Sequence, residues 1–150
     1  MTIYFYGLNE PYGEFSNFSR HGIALDDEWW KTSEHYFQAQ KFVNTDAAWA
    51  EKIRGIEKPR DAASMGRDRS HPIAPDWETI KDDVMRRAVL QKFQTHEDLK
   101  SLLLGTGTED LVEKTSGDYY WGCGTNGTGK NRLGEILMEV REALKVNLKD

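Results

Sequence analysis

Residues 29–42 read WWKTSEHYFQAQKF, and the period of the chain changes inside this stretch. Up to Trp30 it continues a strand-like piece, HGIALDDEWW, rich in β-branched and aromatic residues. From Thr32 onward the spacing is helical. Thr32 or Ser33 can cap the helix, and Glu34 in its first turn suits the positive end of the helix dipole. At about 100° per residue, Glu34, Gln38 and Lys41 fall within a sector of about 60°. Tyr36, Ala39 and Val43 lie opposite, where a core is expected, and Phe37 and Phe42 border the polar seam. The seam either faces water or forms the floor of a pocket. A purely solvated face is not ordinarily edged by two phenylalanines, although single exposed aromatics are common.

Working outward, TIYFYG at the start has strand character, and a Gly/Asn/Pro loop over Gly7–Gly13 follows it. DAAWAEKIRG reads as a short helix from an Asp46 cap to a Gly55 stop, and PRDAASMG as another, with Pro59 in its first turn and Gly66 at its end. The longest helix is expected from an Asp76 cap through WETIKDDVMRRAVLQKF, with Trp77, Ile80, Val84, Ala88 and Phe93 on its buried stripe. THEDLKSLLLG repeats the pattern, with Thr95 as cap and Gly105 as stop. RLGEILMEVREALK places Leu133, Ile136, Leu137, Val140 and Leu144 on one face. These elements specify a mainly α (α+β) protein: a compact helical bundle with a few short N-terminal strands, residues 1–150 forming one domain.

The 150 residues are long enough to bury a core. A net charge of −5 argues against indiscriminate binding to nucleic acid or anionic membrane. The single cysteine, Cys123, excludes an internal disulfide and fits a reducing compartment. No signal peptide or membrane span is apparent, so a cytoplasmic location is expected. Five tryptophans, six tyrosines and six phenylalanines supply flat surfaces for packing or for stacking a ring.

The loudest local signal is WGCGTNGTGKNRLG, residues 121–134. Gly122, Gly124 and Gly127 spell G-x-G-x-x-G, and GTNGTGKN approaches a P-loop. Asn131 stands where a P-loop needs Ser or Thr, and DYYW before it is too short and too polar-flanked for a buried parallel strand. The remaining alternatives are a phosphate-cradling glycine loop before a helix and a flexible turn. Arg67 and Arg69 in MGRDRSHP are either a solvated turn or a clamp for phosphate or carboxylate. The four histidines, scattered without ligand spacing, suggest no metal site, and no cofactor is expected.

Together TSEHYFQAQKF, MGRDRS, the segment from Trp77 to Met85, DYYWG and GKNRLGEILMEVR resemble the YbiA/NADAR family, in the family's order and over nearly the whole chain. The resemblance implies an N-glycosidase of mainly helical fold. Its expected substrate is a phosphorylated ribosylamino-pyrimidine intermediate of riboflavin synthesis. An ADP-ribosylated guanine in nucleic acid is the alternative, and a non-catalytic ADP-ribose or nucleotide-binding module is the other. Glu34, Lys41 and Asp118 match the family's blocks and are the expected catalytic residues. Trp77 and Trp121 would sandwich a ring, Arg67, Gly122, Gly124 and Asn131 would hold phosphate or ribose, and Gln38 and Phe18 would complete the substrate contacts. Cys123 stands where many family members carry an acid, and the resemblance gives it no role.

Overall fold

A computed structural model describes residues 1–148. The order of elements is β1 (Thr2–Phe5), one 3-10 turn (Gly13–Phe15), β2 (Ile23–Leu25), β3 (Glu28–Trp30), α1 (Ser33–Gln40), α2 (Ala47–Gly55), α3 (Pro59–Gly66), α4 (Trp77–Thr95), α5 (Glu97–Gly105), β4 (Asp110–Glu113) and α6 (Arg132–Leu148). Helices dominate, as the periodicity implies. No helix among the described residues is long and apolar enough to cross a membrane.

Two compact units divide the chain: Arg20–Lys92 form one, and Met1–Ser19 with the chain from Phe93 onward form the other. In the first, β2 and β3 make an antiparallel hairpin, Ile23 opposite Trp30. The sequence suggests one continuous strand-like piece here, but Asp26 and Asp27 both take positive φ, 55° and 65°. Two successive left-handed residues make the tight turn whose twist suits a hairpin, and aspartate tolerates that conformation better than most residues. Thr32 caps α1 by accepting the His35 backbone N–H on its hydroxyl, and Asp46 caps α2 by accepting from Trp49. Ile23, Trp30, Tyr36, Ala39, Phe42, Ala50, Ile53, Ala62 and Ala88 form the core that holds α1 against its neighbours.

Val43 departs from its expected place in this core. Helix α1 ends at Gln40, so the helical spacing no longer applies at residue 43, and Val43 is exposed. Ile80 and Val84 are only partly buried, whereas Trp77, Met85, Ala88, Val89, Lys92 and Phe93 are buried along α4.

In the second unit β1 pairs in parallel with β4, Thr2 beside Asp110 and Phe5 beside Glu113. Strand β4 escapes notice in the sequence because DLVE is only four residues long and half of them are acidic. The strands are therefore not confined to the N-terminal part. Thr95 belongs to α4, and His96 precedes α5 without a side-chain cap bond. Helix α6 buries Leu133, Ile136, Leu137, Val140 and Leu144, the face its spacing specifies. Phe15 stands edge-on to Phe5 and Phe93, with ring centroids 5.7 and 5.8 Å apart.

Candidate active site

Burial decides how the polar seam of α1 is to be read. Glu34, Gln38 and Lys41 are 8%, 7% and 8% exposed, so the solvated-face reading does not apply. Taking three such groups from water is unfavourable unless each finds partners. Gln38 Nε2 donates to Glu34 Oε2 at 2.8 Å, one helical turn back. That bond fixes the amide orientation, because the reversed amide would set two acceptors against each other. Gln38 Oε1 is left buried without a hydrogen-bond partner.

Lys41 follows the last residue of α1, and its Nζ donates to the Gly66 carbonyl at 3.4 Å. Its walls are aromatic, with Nζ 5.7 Å from the Phe37 ring centre and 5.8 Å from that of Trp77. Those two rings meet edge to face at 5.1 Å. Burial, followed by the charge of Arg69, pulls the Lys41 amine down to about 8; Glu34 and Glu78 oppose this and Arg67 reinforces it. Desolvation thus outweighs the carboxylates, and about a tenth of the amine is neutral at pH 7, rising to about half at pH 8.

α1 approaches α3 closely because Gly66 has no side chain. A Cβ there would overlap Gln38 Oε1 and stand 2.6 Å from Cδ and 3.1 Å from Cβ of the same residue. The segment after α3 carries Arg67 and Arg69 and is tied down at several points. Thr45 donates to the Pro72 carbonyl at 2.6 Å, and Ala74 N–H to the Lys41 carbonyl at 2.8 Å. His71 Nδ1 donates to Asp46 at 2.7 Å, while its ring stacks on Trp49 at 3.8 Å.

His35, next to Glu34, holds the helix in place. The Ile56 carbonyl 2.8 Å from Nε2 can only accept, so Nε2 carries the proton and Nδ1 accepts from the Thr32 hydroxyl at 2.7 Å. Burial lowers its pKa, which agrees with a neutral ring. On the far side Tyr36 donates to Asp26 at 2.7 Å, and Arg87 donates to Asp26 at 2.6 Å and to the Tyr36 oxygen at 3.1 Å. The consecutive residues His35 and Tyr36 therefore anchor the N-terminal half of α1.

Of the expected residues, Glu34, Gln38, Lys41 and Trp77 come together here, with Arg67 contributing charge. Trp77 is 4% exposed and serves as a wall for Lys41, which leaves it no open face as a stacking platform. Asp118, Trp121, Gly122, Gly124 and Asn131 lie in the other unit. There Asp118 Oδ1 accepts the backbone N–H groups of Tyr120 and Trp121 at 2.9 and 2.8 Å. Half-buried Trp121 stands edge-on to Tyr120 at 4.8 Å. The Asn131 amide joins β4 on two sides, accepting from Glu113 N–H and donating to the Leu111 carbonyl, both at 2.9 Å.

The glycine loop's amides turn inward. Cys123 N–H bonds to the Glu113 carbonyl, Gly129 to Cys123, Lys130 to Tyr119, Asn131 to Gly122, Arg132 to Tyr120 and Leu133 to Trp121. Gly124 N–H bonds to the Thr115 hydroxyl at 3.0 Å. A phosphate would find these donors already satisfied, and the N-terminus of α6 is capped by protein carbonyls. Gly124 is needed for its backbone, at φ 72°, and because a Cβ would overlap the Tyr119 ring.

Phe18 lines a pocket of about 240 Å³ with Tyr6, Gly7, Leu8, Ser16 and Glu113, all in the same unit. A second cavity of about 320 Å³ lies among Asp26, Trp30, Gln40, Val43 and Glu51. None of the seam residues lines it, and Asp26 and Glu51 there are bound to Arg87 and Arg54. Among the described residues no cluster of three His, Cys, Asp or Glu is placed to hold a metal ion.

A buried glutamate–glutamine–lysine seam on one short helix is the feature to compare with other proteins. The NADAR domain matches residues 4–145. The chain belongs to the NADAR family. An N-glycosidase of Nostoc punctiforme is 51% identical over 97% of this chain and 94% of its own length. The N-glycosidase YbiA of Escherichia coli is 51% identical over 96% of this chain and 89% of its own. The NMR structure of the E. coli protein YbiA superposes with a TM-score of 0.92 over 99% of this chain, at 50% identity. More distant relatives are longer. The riboflavin biosynthesis protein PYRR of Zea mays is 41% identical, and this chain spans 25% of it. A riboflavin biosynthesis protein of Vibrio vulnificus is 40% identical, and this chain spans 38% of that one.

Two contributors to the site are hard to find from sequence. Gly66 looks like a helix stop but is also the point of closest approach between α1 and α3. Arg69 shares the ambiguity of any arginine in a charged turn. The MGR block and the glycine at a helix end were the available signals, and neither shows which side chain packs on it.

Proposed function

We propose that this protein is an N-glycosidase that cleaves the bond between a ribosyl C1′ and an exocyclic amine, with a phosphorylated ribosylamino-pyrimidine of riboflavin synthesis as substrate. The observation that carries the reading is the Lys41 amine, buried between Phe37 and Trp77 and held near pH 8 in its titration, with Glu34 on the same helix. The N-glycosidase names of relatives 51% identical along nearly the whole chain support the reaction class. The riboflavin names of the more distant relatives support the substrate.

A neutral lysine suits a glycosylamine. Opening of the ribose ring moves the C1′–O4′ pair onto O4′, which takes a proton, and the exocyclic nitrogen's pair forms C1′=N. The Lys41 amine adds to C1′, and the pyrimidine amine leaves with the C1′–N pair and a proton, so C1′ becomes an imine of Lys41. Water then adds to that imine and releases ribose 5-phosphate and the free amine. Glu34, hydrogen-bonded through Gln38, is the group on α1 suited to carry protons between these steps. The low-lying Lys41 titration favours this route over one in which two carboxylates stabilise an oxocarbenium ion and lysine only binds.

The test is borohydride reduction during turnover of a freshly prepared ribosylamino-pyrimidine phosphate, followed by peptide mapping. A reduced adduct on Lys41, with Lys41→Ala inactive and Glu34→Gln slowed by about 10²-fold or more, is the expected result. Full turnover in Lys41→Ala would remove the imine route. Turnover of ADP-ribosylated guanine DNA alone would replace the substrate.

A further inference from the structure

We propose that Arg69 is a positioning residue for this reaction: it shares the Gly66 carbonyl oxygen with Lys41, and so fixes that oxygen and holds a permanent positive charge beside the amine. The inference rests on the reading of Lys41 given above.

The geometry begins with the end of a helix. Gly66 is the last residue of α3, so its carbonyl has no partner further along the helix and lies at the negative end of the dipole. Two cationic side chains converge on it. Arg69 Nη1 donates at 2.7 Å, a short charge-assisted bond, and Lys41 Nζ at 3.4 Å, near the limit of a hydrogen bond. A carbonyl has two lone pairs and can serve both. Arginine takes the stronger contact, so the lysine is located by the oxygen without being firmly held as an ammonium.

The charges facing Lys41 come from three elements: Glu34 on α1, Arg67 and Arg69 after α3, and Glu78 on α4. After burial, Arg69 has the largest influence of the four, and it disfavours the ammonium. A guanidinium keeps its charge throughout the accessible pH range, so this effect does not titrate away as another lysine's would. The bonds from Thr45 to Pro72, Ala74 to Lys41 and His71 to Asp46 keep the Arg69 segment in register with the end of α1. A phosphate-clamp role for Arg69 would instead act on substrate affinity.

The experiment compares the full-length wild type with Arg69→Gln and Arg69→Lys. The Lys41 ε-carbon is titrated by ¹³C NMR, and kcat and KM are measured on the ribosylamino-pyrimidine phosphate over the same pH range. In Arg69→Gln the Lys41 midpoint is expected to rise by about one pH unit, and kcat near neutrality to fall about tenfold, recovering at alkaline pH. Arg69→Lys, retaining a charge, is expected to lie between. An unmoved Lys41 midpoint overturns the proposal. So does an effect on KM alone, equal at every pH, which marks Arg69 as a phosphate ligand. If Lys41→Ala keeps full turnover, the reading of Lys41 fails instead, and the NMR midpoint distinguishes that failure from the first.

Discussion

Replacing Gly66 with alanine sets two physical effects against each other. Gly66 lies in α3 without positive φ, so alanine suits its backbone and helix propensity alone predicts a gain of up to about 1 kcal/mol. Packing predicts the opposite. The added Cβ would overlap Gln38 Oε1 and stand 2.6 Å from Gln38 Cδ, and overpacking of this kind costs about 1–3 kcal/mol. Gln38 cannot move away without loosening its 2.8 Å bond to Glu34. Losing that buried bond adds about 1–3 kcal/mol. The expected net loss is about 2–4 kcal/mol, a fall in melting temperature of roughly 5–15 °C for a chain of this size. Because Glu34 loses its bond to Gln38, turnover should fall at least about tenfold in the folded variant. Thermal unfolding by circular dichroism and steady-state turnover at a temperature well below the melt measure both. Gln38→Ala supplies the internal control. Beside it the nearest atom to the added Cβ is the residue 38 Cβ at 3.1 Å, so the extra penalty of Gly66→Ala should shrink to below about 1 kcal/mol. A Gly66→Ala protein that melts higher than wild type and keeps its turnover would refute the packing argument and the closeness of α1 to α3 on which the site depends.

Lys41 titrates near 8 in the folded protein instead of 10.5, so kcat/KM should climb about tenfold per pH unit below 8 and level off above it. Between pH 8 and 10.5 the unfolded chain binds the extra proton. Lys41's contribution to stability should therefore rise with pH across that window and be flat below it, as equilibrium denaturation at several pH values will measure. Asp118→Ala should lower stability by about 1–2 kcal/mol, since Oδ1 caps two backbone N–H groups. Asp118→Asn, which keeps an acceptor there, should cost less than half as much in urea denaturation. If Asp118 also serves the chemistry, the Asn variant will fold normally yet turn over more slowly. Asn131→Ala removes both bonds to β4 and leaves alanine at φ 53°, for an expected loss of about 2–4 kcal/mol by the same assay.

Local signals accounted for most of the helices. Asp46, Pro59, Gly55 and Gly66 mark helix ends through capping and φ preferences that act within a few residues, and α2 and α3 begin and end where those residues stand. The spacing of Leu133, Ile136, Leu137, Val140 and Leu144 likewise defines the buried face of α6. Strand β4 could not be read in the same way. Its four residues pair with β1, more than a hundred positions away, and no local pattern records that pairing. The family's sequence blocks also pointed to Glu34 and Lys41, although periodicity alone left their seam between solvent and pocket.

What the sequence determined by itself was that Glu34, Gln38 and Lys41 share one side of a short helix, because helical spacing is a property of the local backbone. Tertiary structure alone decided that this side is buried. The approach of α3, allowed by the absence of a side chain at Gly66, and the Trp77 ring of α4 cover the seam, and α3 brings the Gly66 carbonyl and Arg69 to Lys41. The titration of Lys41 follows from that burial and those neighbours. Desolvation and Coulomb interactions depend on distances through space, and sequence spacing does not contain them.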